Sequence, residues 1–510
     1  MKMSATAYHT STSYDRHAMT PHIMDWPHQP AQAKTYDGLE SLSLPQPMPL
    51  TGRLTRDVLL TASLKETRSD PVGLEDVARV LRLCTTPTAV LRHAGEDHFL
   101  RSVPSAGALY PTEVYLACRR VQGLEDGLYH YPSLEHRLLR LRAEDPSPAI
   151  HRLLACPDDR PPTLCFFLSA IFFRSAWKYR SRSYRYHCLD TGHLLESLCL
   201  ALAALELPAV VHFDFDDDRA NRFLGLNVAR EVTLAVVPVS ARREGEGGES
   251  IDRLDSPPLP AGILKASRTS AREVDYPEVR AVHEAGKALK AHPRRDEVLP
   301  VIERLGPETE AWAPLAPAGP WDANPPYPDC LFSRRSRRNF DRTPMTMTSL
   351  NALVESLKAA AQPHETIPAD SNAVLGTGLL ISRVQGVPSG MLLLDLEKGR
   401  AGRVGSEDLT ASMARICLDQ AWLAGAALHV LFMADLEALD LAWGARGYRY
   451  AMLWAGRLAQ RTYLAATALG QGCCGIGAFY DGEAAEALGL QGASRLLYLV
   501  AVGPIRGGLR

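Results

Sequence analysis

Arg120-Val121-Gln122-Gly123, with Gly127 close behind, returns downstream as Arg383-Val384-Gln385-Gly386 with Gly390. Tyr184-Arg185-Tyr186 returns as Tyr448-Arg449-Tyr450, Gly192 as Gly456 and Leu224-Gly225-Leu226 as Leu488-Gly489-Leu490, all at one common offset. The first group differs from that offset by a single position. A near-constant spacing across separate matches marks aligned copies of one unit. Two copies in one chain imply a pseudo-twofold pair, an internal version of a symmetric dimer.

Outward from these matches, the 510 residues divide into an N-terminal arm (1–55), a first unit (56–241), a linker (242–329) and a second unit (330–510). A chain of this length exceeds one ordinary core. The arm is broken by Trp26-Pro27, Pro30, Pro45, Pro47 and Pro49, too often for regular structure. Asp70-Pro71 opens an amphipathic helix with Leu74, Val77, Ala78, Leu81 and Cys84 on one face. A loop is expected from Thr85 to Pro104, then strands at Glu113 to Cys118 and Gly127 to Tyr131. Leu164 to Leu168 is wholly apolar and reads as a buried strand. A basic, aromatic segment precedes a long helix expected from about Thr191 to Leu205, and Val232 to Val239 is β-rich. The linker, rich in Pro, Gly and charge, holds one expected helix, Glu278 to Lys290.

Composition narrows the function classes. Hydrophobic residues at 46% and charged residues at 22% are ordinary for a soluble globular chain. A formal net charge of -2 favours neither a nucleic-acid partner nor a polybasic membrane contact. No apolar run suits a signal peptide or a spanning helix. The ten cysteines form no CxxC pair, so they are expected reduced and buried in a cytoplasmic protein, with no metal site.

Three stretches carry chemistry, each in one copy only. Arg334-Arg335-Ser336-Arg337-Arg338-Asn339-Phe340 packs guanidinium forks and a hydroxyl into an anion site. On charge alone it also reads as a solvated basic turn. Its first-copy counterpart, Thr61 to Thr67, keeps only Ser63 and Lys65. Pro104-Ser105-Ala106-Gly107, within Arg101 to Pro111, lets backbone and hydroxyl approach a ligand closely. The second copy has Pro368-Ala369-Asp370-Ser371-Asn372 there, without the motif. Gly470 to Phe479, including Cys474-Gly475-Ile476-Gly477, is a glycine-dense stretch after a helix, where the first copy has Glu206 to Val210 and no glycine. By itself it also reads as a helix-to-strand turn.

These stretches together resemble the FMN-dependent nitroreductase superfamily. The resemblance implies an α+β fold: two tandem nitroreductase-like domains, each a mainly antiparallel sheet flanked by helices, paired as an intramolecular pseudo-dimer. In that superfamily the flavin lies at a subunit interface, with the Arg/Ser motif and the late glycine loop from one subunit and the Pro-Ser loop from the other. Here the second copy keeps the first set and the first copy the other, which implies one intact FMN site and one decayed site. Arg101-Ser102-Val103-Pro104-Ser105-Ala106-Gly107-Ala108-Leu109-Tyr110-Pro111, Lys178-Tyr179 and Tyr184-Arg185-Tyr186 with Gly192-His193 further resemble SagB-type azoline dehydrogenases. Those enzymes oxidise azolines in modified peptides.

The resemblance implies roles. The FMN phosphate would meet Arg334 and Ser336, with Arg335 beside them and Arg506 a further candidate. Arg338 would face the pyrimidine edge, where a cation favours hydride acceptance. Backbone around Gly475 to Ala478 would address the flavin N5, and Lys178 and Tyr179 would handle the proton. Lysine serves as a base when desolvated or crowded by cations, and Arg174, Arg180, Arg182 and Arg185 lie nearby in sequence. A solvated basic helix is the other reading of that segment. His193 is expected to open a helix and to cap or pack, and adjacent Cys473-Cys474 to be small buried residues rather than a redox pair. Two other functions stay open: an NAD(P)H-dependent nitro, quinone or enone reductase, and a flavin-binding protein without turnover. The substrate is a small molecule or a modified peptide, and assembly beyond the internal pair is open.

Overall fold

The computed structural model describes residues 3–19, 22–61, 70–93, 96–154, 162–239, 257–287, 300–317, 319–361 and 371–507. In chain order its strands are β1 (Ser41–Ser43), β2 (Pro87–His93), β3 (Glu96–Arg101), β4 (Thr112–Cys118), β5 (Gly127–Tyr131), β6 (Arg137–Arg142), β7 (Leu164–Ile171) and β8 (Glu231–Val239). The second half follows with β9 (Trp312–Pro314), β10 (Gly376–Ile381), β11 (Gly390–Asp395), β12 (Arg400–Gly405), β13 (Leu428–Asp435), β14 (Gly472–Ile476) and β15 (Ser494–Gly503). One antiparallel sheet runs β1-β6-β5-β4-β7-β8 and the other β14-β15-β13-β10-β11-β12-β9. The run β6-β5-β4-β7-β8 repeats as β12-β11-β10-β13-β15, so the sequence duplication is a duplication of sheet topology. Strand β7 is buried at every position, as its uninterrupted apolar run requires of a central strand covered on both faces.

Two pairs of the repeated glycines mark close approaches. Gly127 and Gly390 have φ of 157° and 133°, and a Cβ on either would meet the carbonyl oxygen of Arg142 or Gly405 on the neighbouring strand. Gly192 and Gly456 lie where two long helices, Ser183–Ala204 and Ala445–Ala468, cross. A Cβ on Gly192 would stand 2.3 Å from the Leu453 carbonyl oxygen, and one on Gly456 2.3 Å from that of Leu189. Only hydrogen lets these backbones touch at the pseudo-twofold axis.

The repeated arginines tie the halves together across that axis. Arg185 and Arg182 pair with Asp481 at 2.6 and 2.7 Å, and Arg449 pairs with Asp217 at 2.7 Å beside Arg446. Asp217 and Asp481 are themselves equivalent positions of the two copies, and each begins a helix. All six groups are buried, so their value lies in fixing the register of the halves rather than in net stability.

Several expectations about local structure are corrected. The first long helix begins at Ser183, well before the expected Thr191, because the charges of the Tyr-Arg-Tyr segment are neutralised across the interface. His193 therefore sits inside that helix and does not open it. Thr85 to Pro104 is not a loop throughout: β2 and β3 form a hairpin there. The arm does hold regular structure. Its helix Ala5–Ser11 is capped by Ser4 and by Asp440, and its strand β1 extends the first sheet. The linker does the same for the second half, giving β9 to the second sheet's edge and the helix Pro277–Ala285 to the axis. That helix ends at Ala285 with Gly286 as its cap, short of the expected Lys290; residues 288–290 lie outside the described residues, as do 62–67 and 368–370. No helix among the described residues is long and apolar enough to cross a membrane.

Candidate functional site

The three stretches singled out by sequence converge on one cavity between the halves. Pro104, Ser105, Ala106 and Gly107 line it from the first half, and Ser336, Arg338, Cys474, Gly475, Ile476 and Gly477 from the second. Lys178 and Tyr179 stand at its rim: a Cβ on Gly107, where φ is 65°, would lie 3.0 Å from the Tyr179 hydroxyl and 3.3 Å from Lys178 Nζ.

The arginine motif divides its work. Arg334 is buried; its Nε donates to the Ser102 carbonyl at 2.6 Å and its Nη2 to that of Arg101 at 3.1 Å, clasping the start of the other half's Pro-Ser segment. Its remaining nitrogen, Nη1, is buried with no hydrogen-bond partner. Arg335 turns to the carbonyls of Phe332, Arg334 and Thr88 and leaves the cavity lining. Ser336 and Arg338 face the opening and are exposed there. Arg506 also stands outside the lining, its backbone N–H donating to the Asn339 carbonyl.

Strand β14 takes the middle of the glycine stretch, Gly472–Ile476, so that part is strand and not turn, while Gly470 and Gly477 lie outside it. Tyr463, on the second long helix, locks it to the arginine motif: its hydroxyl accepts from the Gly475 N–H at 2.7 Å and lies 3.0 Å from Ser336 Oγ. The Gly477 carbonyl accepts from Arg182 and from the Tyr186 hydroxyl of the first half. A Cβ on Gly477 would fall 2.7 Å from the Tyr186 ring. Cys473 and Cys474 are buried free thiols with raised pKa, held protonated by burial.

The electrostatics around Lys178 differ from the sequence expectation. Arg174 pairs with Glu113, Arg182 and Arg185 with Asp481, and Arg180 meets His22. Those arginines are engaged elsewhere, so they are not the cations that crowd the lysine. Its pKa is lowered first by partial burial and then by Arg338, which comes from the other half. Tyr179 is raised well above its ordinary value by burial, and its ring lies tilted at 36° to the Tyr186 ring with centroids 4.2 Å apart. The arm packs on neighbouring residues outside the lining: the Asp25 carbonyl accepts from the Trp177 indole and Gln32 donates to the Ala108 carbonyl.

Sequence reasoning missed Asp190, Tyr463, Gln420 and Tyr498, which also line the cavity, and assigned His193 no place in it. His193 bridges Gln460 Oε1 at 3.1 Å and the Tyr498 hydroxyl at 3.2 Å, and burial holds it neutral at about 3. These are single residues on long helices, on a short loop or on β15. Apart from the Gly192-His193 pairing, no local pattern announces them.

The pseudo-equivalent place on the other side is filled. Tyr186, Asp190 and Gly477 of the cavity correspond, at the offset of the duplication, to Tyr450, Trp454 and Phe213. Phe213 stacks on Tyr450 with centroids 6.0 Å apart and meets Trp454 edge-on at 6.1 Å. All three rings are buried, so aromatic side chains occupy there what the first site leaves open.

The model of the Nitroreductase family matches residues 63–240 and 331–504. A Methanocaldococcus jannaschii protein provisionally named nitroreductase MJ1384 is 31% identical over 163 residues, 31% of this chain and 82% of its own. Trifolitoxin-processing protein TfxB of Rhizobium leguminosarum bv. trifolii is 30% identical over 143 residues, 27% of this chain and 38% of its own. A crystal structure from Anabaena variabilis, also provisionally named a nitroreductase, superposes with a TM-score of 0.77 at 24% identity, covering 98% of this chain and 99% of its own. That likeness establishes the fused double fold alone. With both halves matched by one family model, the chain belongs to the Nitroreductase family.

Proposed function

We propose that this chain is an FMN-dependent oxidoreductase of the SagB-type dehydrogenase kind, with one flavin between its halves and an azoline ring as substrate. The observation that carries the reading is the meeting of Ser105 and Gly107 from one half with Arg338 and Gly477 from the other in a single cavity. The residues present fit a flavin. Arg334 offers a buried nitrogen without a partner, a guanidinium and a hydroxyl face the opening, and a Cβ on Gly477 would crowd the wall. Arg334 and Ser336 would hold the phosphate, with Arg506 a further candidate, Arg338 the pyrimidine edge, and the backbone at Gly475 to Ala478 the N5 side.

Bound FMN supplies a hydride acceptor. The chain's own residues manage the proton. Oxidation of an azoline to an azole removes one proton and one hydride from adjacent ring carbons. Lys178 Nζ takes the proton, and its lowered pKa makes the free amine available at lower pH than for an ordinary lysine. Tyr179, held protonated by burial, steadies the substrate through its hydroxyl. The likeness to a trifolitoxin-processing protein supports a modified peptide as substrate.

Anaerobic mixing with a thiazoline-bearing peptide should bleach the visible flavin absorbance and yield the thiazole. Bleaching by NADPH with steady quinone reduction, and none by the azoline, would replace this reading with the nitro, quinone or enone reductase. No bleaching by either would leave a flavin-binding protein without turnover.

A further inference from the structure

Asp190 is the one carboxylate lining the cavity among the described residues, and no function above uses it. It sits on the first long helix, one turn beyond Tyr186 and just before the helix crossing at Gly192. Its Oδ2 accepts from Ser105 Oγ at 2.5 Å and its Oδ1 from the Ala106 N–H at 3.1 Å. Ser105 Oγ in turn accepts from the Tyr110 N–H at 2.9 Å, closing the Pro-Ser loop on itself. Gly107, which ends that segment, lies close to Lys178 and Tyr179: a Cβ there would stand 3.0 Å from the Tyr179 hydroxyl and 3.3 Å from Lys178 Nζ. The equivalent position in the second copy is Trp454, so the carboxylate occurs only in the half whose site is open.

From this geometry we infer that Asp190 is a positioning residue: its ionised carboxylate pins the Ser105–Gly107 loop and thereby sets where Lys178 and Tyr179 stand. This rests on the reading of the cavity as the flavin site for its consequence in catalysis, but not for the loop itself. A carboxylate that accepts both a hydroxyl and a backbone N–H binds them more tightly than the neutral acid does. The groups that face it are neutral at working pH: Tyr110, Tyr179 and Tyr498 from three other elements, and Tyr186 and His193 from its own helix. Arg338 lies across the cavity, and among the described residues no lysine or arginine is within ion-pair distance. Burial, opposed by the Ser105 and Ala106 hydrogen bonds, raises Asp190 to about 7, so the switch falls near neutrality. The sign for global stability is opposite to that for the loop. Stability linked to this raised carboxyl is fully present below the unfolded value and is lost as pH rises through about 7, while the loop is held more tightly.

Hydrogen-exchange mass spectrometry on the full-length chain, as purified and after FMN addition, tests this at pH 6 and pH 8. After correction for intrinsic exchange, residues 103–110 should gain about tenfold protection between those values, as an ionised hydrogen bond over a neutral one implies. In Asp190→Asn the gain should vanish, and in Ser105→Ala, which keeps the charge and removes one donor, it should shrink. The azoline pH–rate profile should lose its limb near 7 in Asp190→Asn and keep the limb set by Lys178. Equal pH responses in wild type and Asp190→Asn would overturn the inference. A chain that takes up no FMN yet shows the loop effect would overturn the proposed function alone. Should Asp190→Asn fail to fold, an unchanged pH response in Ser105→Ala would overturn the inference by itself.

Discussion

Replacing Gly477 with phenylalanine should lower FMN affinity by about 5- to 150-fold, since overpacking of about 1–3 kcal/mol converts to that range. The chain already contains the result of such a change. Phe213 holds the corresponding position in the other half and fills its site by stacking on Tyr450 and meeting Trp454. In the open half, the first atom of a side chain at 477 would already be 2.7 Å from the Tyr186 ring. The ring beyond it must enter the cavity or displace Tyr186. Because the fold tolerates phenylalanine at the sister position, Gly477→Phe should still fold. Equilibrium titration with FMN, read beside a thermal melt, checks both points, and undiminished affinity would contradict the placement of the flavin.

Lys178→Met should leave FMN content unchanged and lower azoline oxidation by about 10²- to 10⁴-fold, the usual range for a lost general base. The lysine's stem lies against Gly107, so methionine retains the packing while removing the amine. Single-turnover measurement separates the outcomes. A fall in the bleaching rate with retained substrate affinity assigns Lys178 to the chemical step, whereas a rise in KM alone would make it a binding residue. Arg338 is the cation that acts on this lysine, so Arg338→Gln should shift the Lys178 limb of the pH profile upward.

The duplication, the apolar central strand and the three site stretches were legible because each is a local pattern. The repeated Tyr-Arg-Tyr triplet marked the duplication, but not the pairing of its arginines across the halves. Arg185 finds Asp481 and Arg449 finds Asp217 across 296 and 232 residues, a separation at which single carboxylates leave no local trace. The same reason hid Asp190 and Tyr463, each one residue on a long buried helix. The arm and linker were misread for a different cause. Frequent prolines exclude long elements, yet β1 and β9 are three residues each and sit on sheet edges, where Pro314 is tolerated. Crowding around Lys178 was read from neighbours in sequence, while the fold engages those arginines elsewhere and brings Arg338 from the opposite half.

Flavin counted per polypeptide tests the central claim most directly: one FMN is held jointly by two unequal halves. Titration of the full-length chain with FMN, followed by removal of the free nucleotide and quantitation against protein, should saturate at one flavin per chain. Saturation at two would mean that Phe213 and Trp454 do not close the sister site, and a chain that takes up none would contradict the account.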